Sequence, residues 1–167
     1  NKMANIIFDY EATHRLIRNV NGYVTIQPAL PNRSRLYVIF NDSTNRTVYV
    51  GTAESVQDRF KDRIDAVQHL GFSQSQLDAI FIAVIHITFD GKNTPPHDDG
   101  KAQGVDVEHL LIRTYITPLG CLVRNTLKTE QFLNKSGQTL TWELKNSAGI
   151  ANFGGPYNYK LPPNTLL

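Results

Sequence analysis

The sequence predicts an α+β fold: a small, mainly antiparallel three-stranded sheet flanked by helices, with an extension at each end. Three observations predict it. Two β-rich runs, residues 36–40 and 47–50, lie on either side of a short polar turn. An apolar stripe at helical spacing follows directly, at Val56, Phe60, Ile64 and Val67. A third apolar run, residues 80–87, then precedes a second helix-patterned stretch at 106–116. The 167 residues suit one domain. They divide into an N-terminal extension (1–34), a core (35–127) and a C-terminal extension packed on it (128–167).

The first 34 residues read as an irregular arm with a short helix near 10–20, and Pro28, Pro31 and Asn32 mark a loop. Leu36-Tyr37-Val38-Ile39-Phe40 is aromatic and β-branched, hence a strand. The cluster from Asn41 to Asn45 is a turn, and Thr47-Val48-Tyr49-Val50 is the return strand, ended by Gly51. Ser55 stands where an N-cap would, with Asp58 three residues on and Gly71 as the terminating residue of a helix. Residues 73–78 suit one further turn of helix. The run 80–87 is apolar but for His86, which suits a strand buried on both faces. Residues 90–105 hold three Gly and two Pro and read as a long loop. The next helix, 106–116, turns Val107, Leu110, Leu111 and Tyr115 inward and stops before Pro118 and Gly120. Beyond it come short segments such as 139–144 and a Gly- and Pro-rich tail from Gly149.

Composition excludes several classes. The longest apolar run, 79–85, has seven residues, against about 20 for a bilayer span. A single cysteine, Cys121, rules out an internal disulfide framework. The net charge of +2 is too small to indicate nucleic-acid binding by itself. Its distribution says more. Residues 1–70 carry a net +2, residues 71–120 a net −3 and residues 121–167 a net +3. An acidic middle between basic ends is what a metal pocket inside a phosphate-binding surface would carry.

Two tripeptides stand out against that background. Leu36-Tyr37-Val38 and Tyr49-Val50-Gly51 lie on the paired strands, with their tyrosines twelve positions apart. Arg59 follows ten residues after Tyr49 on the next helix, Glu108 sits on the helix after the third strand, and Asn125 follows that helix. In this order the chain, over residues 35–127, resembles the GIY-YIG nuclease superfamily, named for two tripeptides on adjacent strands. The first tripeptide keeps only its Tyr, and the second differs by an Ile-to-Val exchange. Thr52 stands where several relatives carry Lys, and Arg63 where relatives often carry His or Tyr.

The resemblance implies a divalent-metal-dependent endonuclease cutting phosphodiester bonds of DNA. Its catalytic set would be Tyr37, Tyr49, Arg59, Glu108 and Asn125, with Glu108 as the metal ligand for Mg²⁺ or Mn²⁺. Thr52, Lys61 and Arg63 would contact substrate. The residue chemistry agrees. A carboxylate holds a hard cation that keeps several waters, and the cation polarises the phosphate and stabilises the leaving oxygen. A guanidinium is a planar, permanent charge matched to phosphate. Tyr37 or Tyr49 would accept a proton from the attacking water, and the sequence does not choose between them. A mobile-element endonuclease and a repair nuclease stay open as biological settings, but two fit best, an antibacterial toxin domain or a compact restriction enzyme. The first implies an inhibitory immunity protein and the second a homodimer. Either acts in a cytoplasm, the toxin after delivery into a target cell. The alternative is a catalytically inactive nucleic-acid-binding module of the same fold.

Other candidates are simpler. Pro96-His97-Asp98-Asp99 offers an imidazole and two carboxylates, but adjacent Asp side chains do not readily converge on one ion. Cys121 lacks a nucleophile's partner and reads as a small hydrophobe. His86 reads as a core residue that the sheet face could bring to the pocket. A third class, a small-molecule enzyme, would use residues 90–105 as a lid. Arg15, Arg18, Arg33, Arg35, Arg46, Lys128, Lys135 and Lys145 are candidate phosphate contacts outside the active site.

Overall fold

A computed structural model describes residues 2–18, 24–29, 35–41, 47–55 and 80–167. In chain order its elements are β1 (Met3–Arg18), β2 (Val24–Gln27), β3 (Arg35–Asn41), β4 (Thr47–Ala53) and β5 (Ile80–Phe89). Then come β6 (Lys92–Asn93), β7 (Lys101–Ala102), β8 (Val105–Asp106), helix α1 (Val107–Ile116) and β9 (Leu122–Val123). The last two strands are β10 (Thr139–Lys145) and β11 (Tyr157–Leu161).

The sheet corrects the expected fold class. The three strands foreseen as the whole sheet do lie side by side, as β5-β3-β4. They are part of a curled, mixed, nine-stranded sheet ordered β11-β10-β1-β5-β3-β4-β9, with β2 on β1 and β6 on β5. One α-helix is found among the described residues. The physical reason lies in the two extensions. Residues 4, 6, 8 and 10 are Ala, Ile, Phe and Tyr, all buried, and polar Asn5 and Asp9 alternate with them. That period of two makes a strand of the segment expected as an irregular arm. β1 pairs antiparallel with β5 and parallel with β10, so the N- and C-terminal extensions meet at the sheet's centre. The helix expected from residue 56 and the short one at 73–78 lie outside the described residues.

A bulge gives β1 two allegiances. Tyr10 pairs with Ile85 and Ala12 with Val84, which leaves Glu11 as an extra residue. Before the bulge β1 turns Ala4, Ile6, Phe8 and Tyr10 to one face, where α1, β10 and Phe153 complete a core around Leu110, Leu111 and Trp142. After it, Leu16 joins Ile26, Tyr37, Ile39, Ile80, Ile82 and Val84 on the other face. In the first core the phenols of Tyr10 and Tyr115 hydrogen-bond to each other, and burial pushes both above the ordinary tyrosine pKa.

The stretch 90–105 is more ordered than a long loop. Two-residue turns with positive φ, at Asp90-Gly91 and Gln103-Gly104, close the β5-β6 and β7-β8 hairpins. Helix α1 begins one residue later than the expected span, capped by Asp106, whose carboxylate accepts the His109 N–H at 3.0 Å.

Candidate functional site

Strand β4 gathers the residues singled out in the sequence. Alternation sends Tyr49 and Gly51 to one face and Val48, Val50 and Thr52 to the other. Gly51 pairs with Tyr37 across the β3-β4 ladder. A Cβ at position 51 would run into the Tyr37 phenol, so the ring lies where only glycine leaves room. Tyr37 is buried, and its ring stands 6.4 Å from that of Tyr49 at a tilt of 38°. The two rings therefore do form an aromatic contact on neighbouring strands.

The outer edge of β4 is finished by a side chain. β9 pairs with β4 only at Thr47 and Val48, and the Arg124 N–H donates to the Val48 carbonyl at 2.8 Å. One residue on, the Asn125 amide takes over the ladder. Its Oδ1 accepts the Val50 N–H at 2.9 Å and its Nδ2 donates to the Val50 carbonyl at 2.7 Å. A carboxamide carries the donor and acceptor of a peptide group, so it satisfies an edge residue as a strand would. In this position Asn125 holds the backbone of the Tyr49-Val50-Gly51 tripeptide.

On the opposite face Thr52 reaches the helix. Its hydroxyl donates to Glu108 Oε2 at 2.5 Å. The other carboxylate oxygen, Oε1, lies 2.9 Å from the Lys128 ammonium. That ammonium also meets both oxygens of Asp106, at 3.1 and 3.2 Å, and donates to the Asp99 carbonyl at 2.6 Å. Burial pulls the lysine pKa down, but the Glu108 and Asp106 carboxylates more than offset this and leave it above the ordinary lysine value. Glu108 retains 16% of its side-chain exposure and Lys128 retains 25%, so the acid sits among polar groups with solvent in reach.

The structure therefore brings Thr52, Glu108 and Asn125 to one strand, with Tyr37 over the residue between the clipped Val50 and Thr52. Tyr37 and Tyr49 lie on the sheet face opposite Glu108, and the two sets are separated by the backbone of β4 at its outer edge. Arg59, Lys61 and Arg63 lie outside the described residues. Thr52, expected as a substrate contact, holds the carboxylate. Asp106 and Lys128 emerge as site residues. The sequence points to Asp106 only as the start of a helix and to Lys128 only as a phosphate contact outside the active site, whereas Lys128 pairs with Glu108.

Hard oxygen donors predominate: two carboxylates, a hydroxyl and a backbone carbonyl. Such a set fits Mg²⁺ or Mn²⁺ better than a thiophilic metal. Among the described residues no three His, Cys, Asp or Glu side chains converge on one point. His97, Asp98 and Asp99 form a tight turn, with the Gly100 N–H donating to the His97 carbonyl at 2.8 Å. His86 stands 3.9 Å from Glu11, both about one-third exposed. Cys121 is half-buried against the first core.

Comparison with protein-family models, curated proteins and solved structures found no match to this chain. Among the described residues no helix is long and apolar enough to cross a membrane.

Proposed function

We propose that this chain is a divalent-metal-dependent endonuclease that hydrolyses phosphodiester bonds of DNA, with Glu108 as its metal-holding carboxylate. The observation that carries the reading is on β4: the Thr52 hydroxyl directs the Glu108 carboxylate and the Asn125 amide clips Val50, so residues from three separate segments meet at the stretch 50–52, with Tyr37 over Gly51 on the opposite face.

Each residue has a defined task. Thr52 and α1 fix the direction of the Glu108 carboxylate. Asn125 holds Val50, and thereby the positions of Gly51 and Thr52 on either side of the sheet. Tyr37 is buried over Gly51 on the sheet face opposite Glu108; Tyr49, on that same face, would reach the attacking water only around the outer edge of β4, and Arg59 would pair with the scissile phosphate. Bound at Glu108, Mg²⁺ or Mn²⁺ supplies a Lewis acid for the phosphate and charge for the leaving oxygen. An inactive nucleic-acid-binding module is the second reading, and the Lys128–Glu108 ion pair favours it because that charge already occupies the carboxylate.

Supercoiled plasmid with Mg²⁺ separates the two. The nuclease nicks or linearises it, EDTA stops the reaction, and Glu108→Ala abolishes it while remaining folded by circular dichroism. Retention of plasmid on the protein without cleavage in Mg²⁺ or Mn²⁺ would leave the binding module.

A further inference from the structure

Arg124, at the outer edge of β4, carries a positive charge with nothing set against it. The residue is half-buried and its Nε is shut off from solvent, yet among the described residues the guanidinium meets no hydrogen-bond or ion-pair partner. A desolvated donor on a charged group costs free energy until an acceptor arrives. Register shows which face it serves. Thr47 pairs with Leu122 and Val48 with Val123, the Arg124 backbone N–H reaches the Val48 carbonyl at 2.8 Å, and the Asn125 amide closes on Val50. Arg124 therefore lies alongside Tyr49. Val48 and Val123 turn to the first core, so alternation turns Arg124 and Tyr49 the other way. On that face Tyr49 packs against the second core, with the Tyr37 ring beside it.

We propose that Arg124 is a phosphate-binding residue, whose guanidinium takes the anionic oxygens of a phosphodiester at the outer edge of β4, on the Tyr49 face. That the phosphate belongs to a DNA strand rests on the endonuclease reading. Nε–H and a neighbouring Nη–H form a planar fork that grips two phosphate oxygens. An acceptor at Nε satisfies the donor that the ligand-free fold leaves unpaired. A carboxylate of the protein would do the same, but none of the ion pairs among the described residues involves Arg124. The position also suits a strand that must serve both faces of the sheet. Glu108 lies on one side of β4 and Tyr49 on the other, so a nucleic-acid backbone crossing the outer edge passes both, with Arg124 at the crossing.

Two probes test this on the full chain in EDTA. One is a fluorescein-labelled DNA duplex, followed by anisotropy between about 50 and 200 mM salt. The other is inorganic phosphate, followed by its effect on Tm. Arg124→Met keeps an apolar stem and removes the charge. It should stay folded by circular dichroism and melt no lower than the parent, because the donor it loses was unpaired. Its duplex affinity should fall about tenfold at the lowest salt. The slope of log Kobs against log salt should shrink by about 0.9, the share of one phosphate contact. Arg124→Lys should restore the slope but only part of the affinity, since an ammonium lacks the fork. Where binding is too weak to titrate, the KM for plasmid in Mg²⁺ carries the same comparison, raised in Arg124→Met. Parent-like duplex affinity and slope in Arg124→Met overturn the phosphate contact and leave the endonuclease reading standing. An Arg124-dependent fall without a phosphate-induced rise in Tm supports a site that takes its phosphate from a strand. A parent that neither binds duplex nor cleaves plasmid in Mg²⁺ ends the endonuclease reading, and free phosphate then decides alone. A Tm rise lost in Arg124→Met keeps the anion site, and equal behaviour of the two chains overturns it.

Discussion

Replacing Asn125 with Ala removes a donor and an acceptor in one step and leaves the Val50 N–H and C=O facing the space the amide filled. An orphaned buried backbone group costs about 1–3 kcal/mol. This pair is part-buried, so water recovers some of the loss, and the sum comes to about 2 kcal/mol. For a domain of this size each kcal/mol moves Tm by about 2–4 °C, which gives a fall of about 4–8 °C. Thermal unfolding followed by circular dichroism measures it. Asn125→Asp sharpens the test. A carboxylate can accept the Val50 N–H but presents negative charge to the Val50 carbonyl, so at pH 7 it should be no more stable than the Ala variant. The protonated acid restores both bonds, so the folded state favours the proton and the Asp variant should gain on the Ala variant as pH falls through about 5. An Ala variant melting within 1 °C of the parent, or an Asp variant with no relative gain in acid, would refute the edge-clip account.

Gly51→Ala should destabilise by about 1–3 kcal/mol, because the new methyl meets the Tyr37 ring; adding Tyr37→Leu should return part of it in a denaturant double-mutant cycle, and strict additivity would show that the ring does not need the gap. Tyr10 and Tyr115 are both pushed up by burial, so their contribution is complete below the ordinary tyrosine pKa and is lost as pH rises beyond it, where only the unfolded phenols ionise. Absorbance at alkaline pH should show these two of the seven tyrosines ionising together with unfolding; seven phenols titrating smoothly in a folded protein would contradict the buried pair.

Much of the local structure was written in residue order. The β3, β4 and β5 runs, and α1 with its Asp106 start, follow from β-branched content and apolar spacing. β1 was legible in principle, since Ala4, Ile6, Phe8, Tyr10, Ala12 and Leu16 keep a period of two. Only His14 interrupts that period, since Glu11 falls between two of its positions. What no period reveals is the bulge at Glu11, because the same even-numbered positions serve opposite faces on either side of it. Asp90-Gly91 between apolar Phe89 and Lys92 was a turn signal inside a segment that composition marked as loop. At the site, Glu108 and Asn125 could be singled out by order along the chain, but their tasks depend on register. Asn125 meets Val50 only because β9 is two residues long, and Lys128 meets Glu108 only through a left-handed backbone and the space at Gly100.

The pairing of β1 with β10 has a kinetic consequence. Thr141 hydrogen-bonds across to Asn5, 136 positions away, and β5 closes onto β1 from some 75 positions away. Such high contact order places the expected folding rate in the slow, millisecond-to-second range. Until β10 docks, one long edge of β1 stays open to other chains. Truncations that spare every proposed site residue but remove β10 should therefore yield aggregates in place of an active fragment.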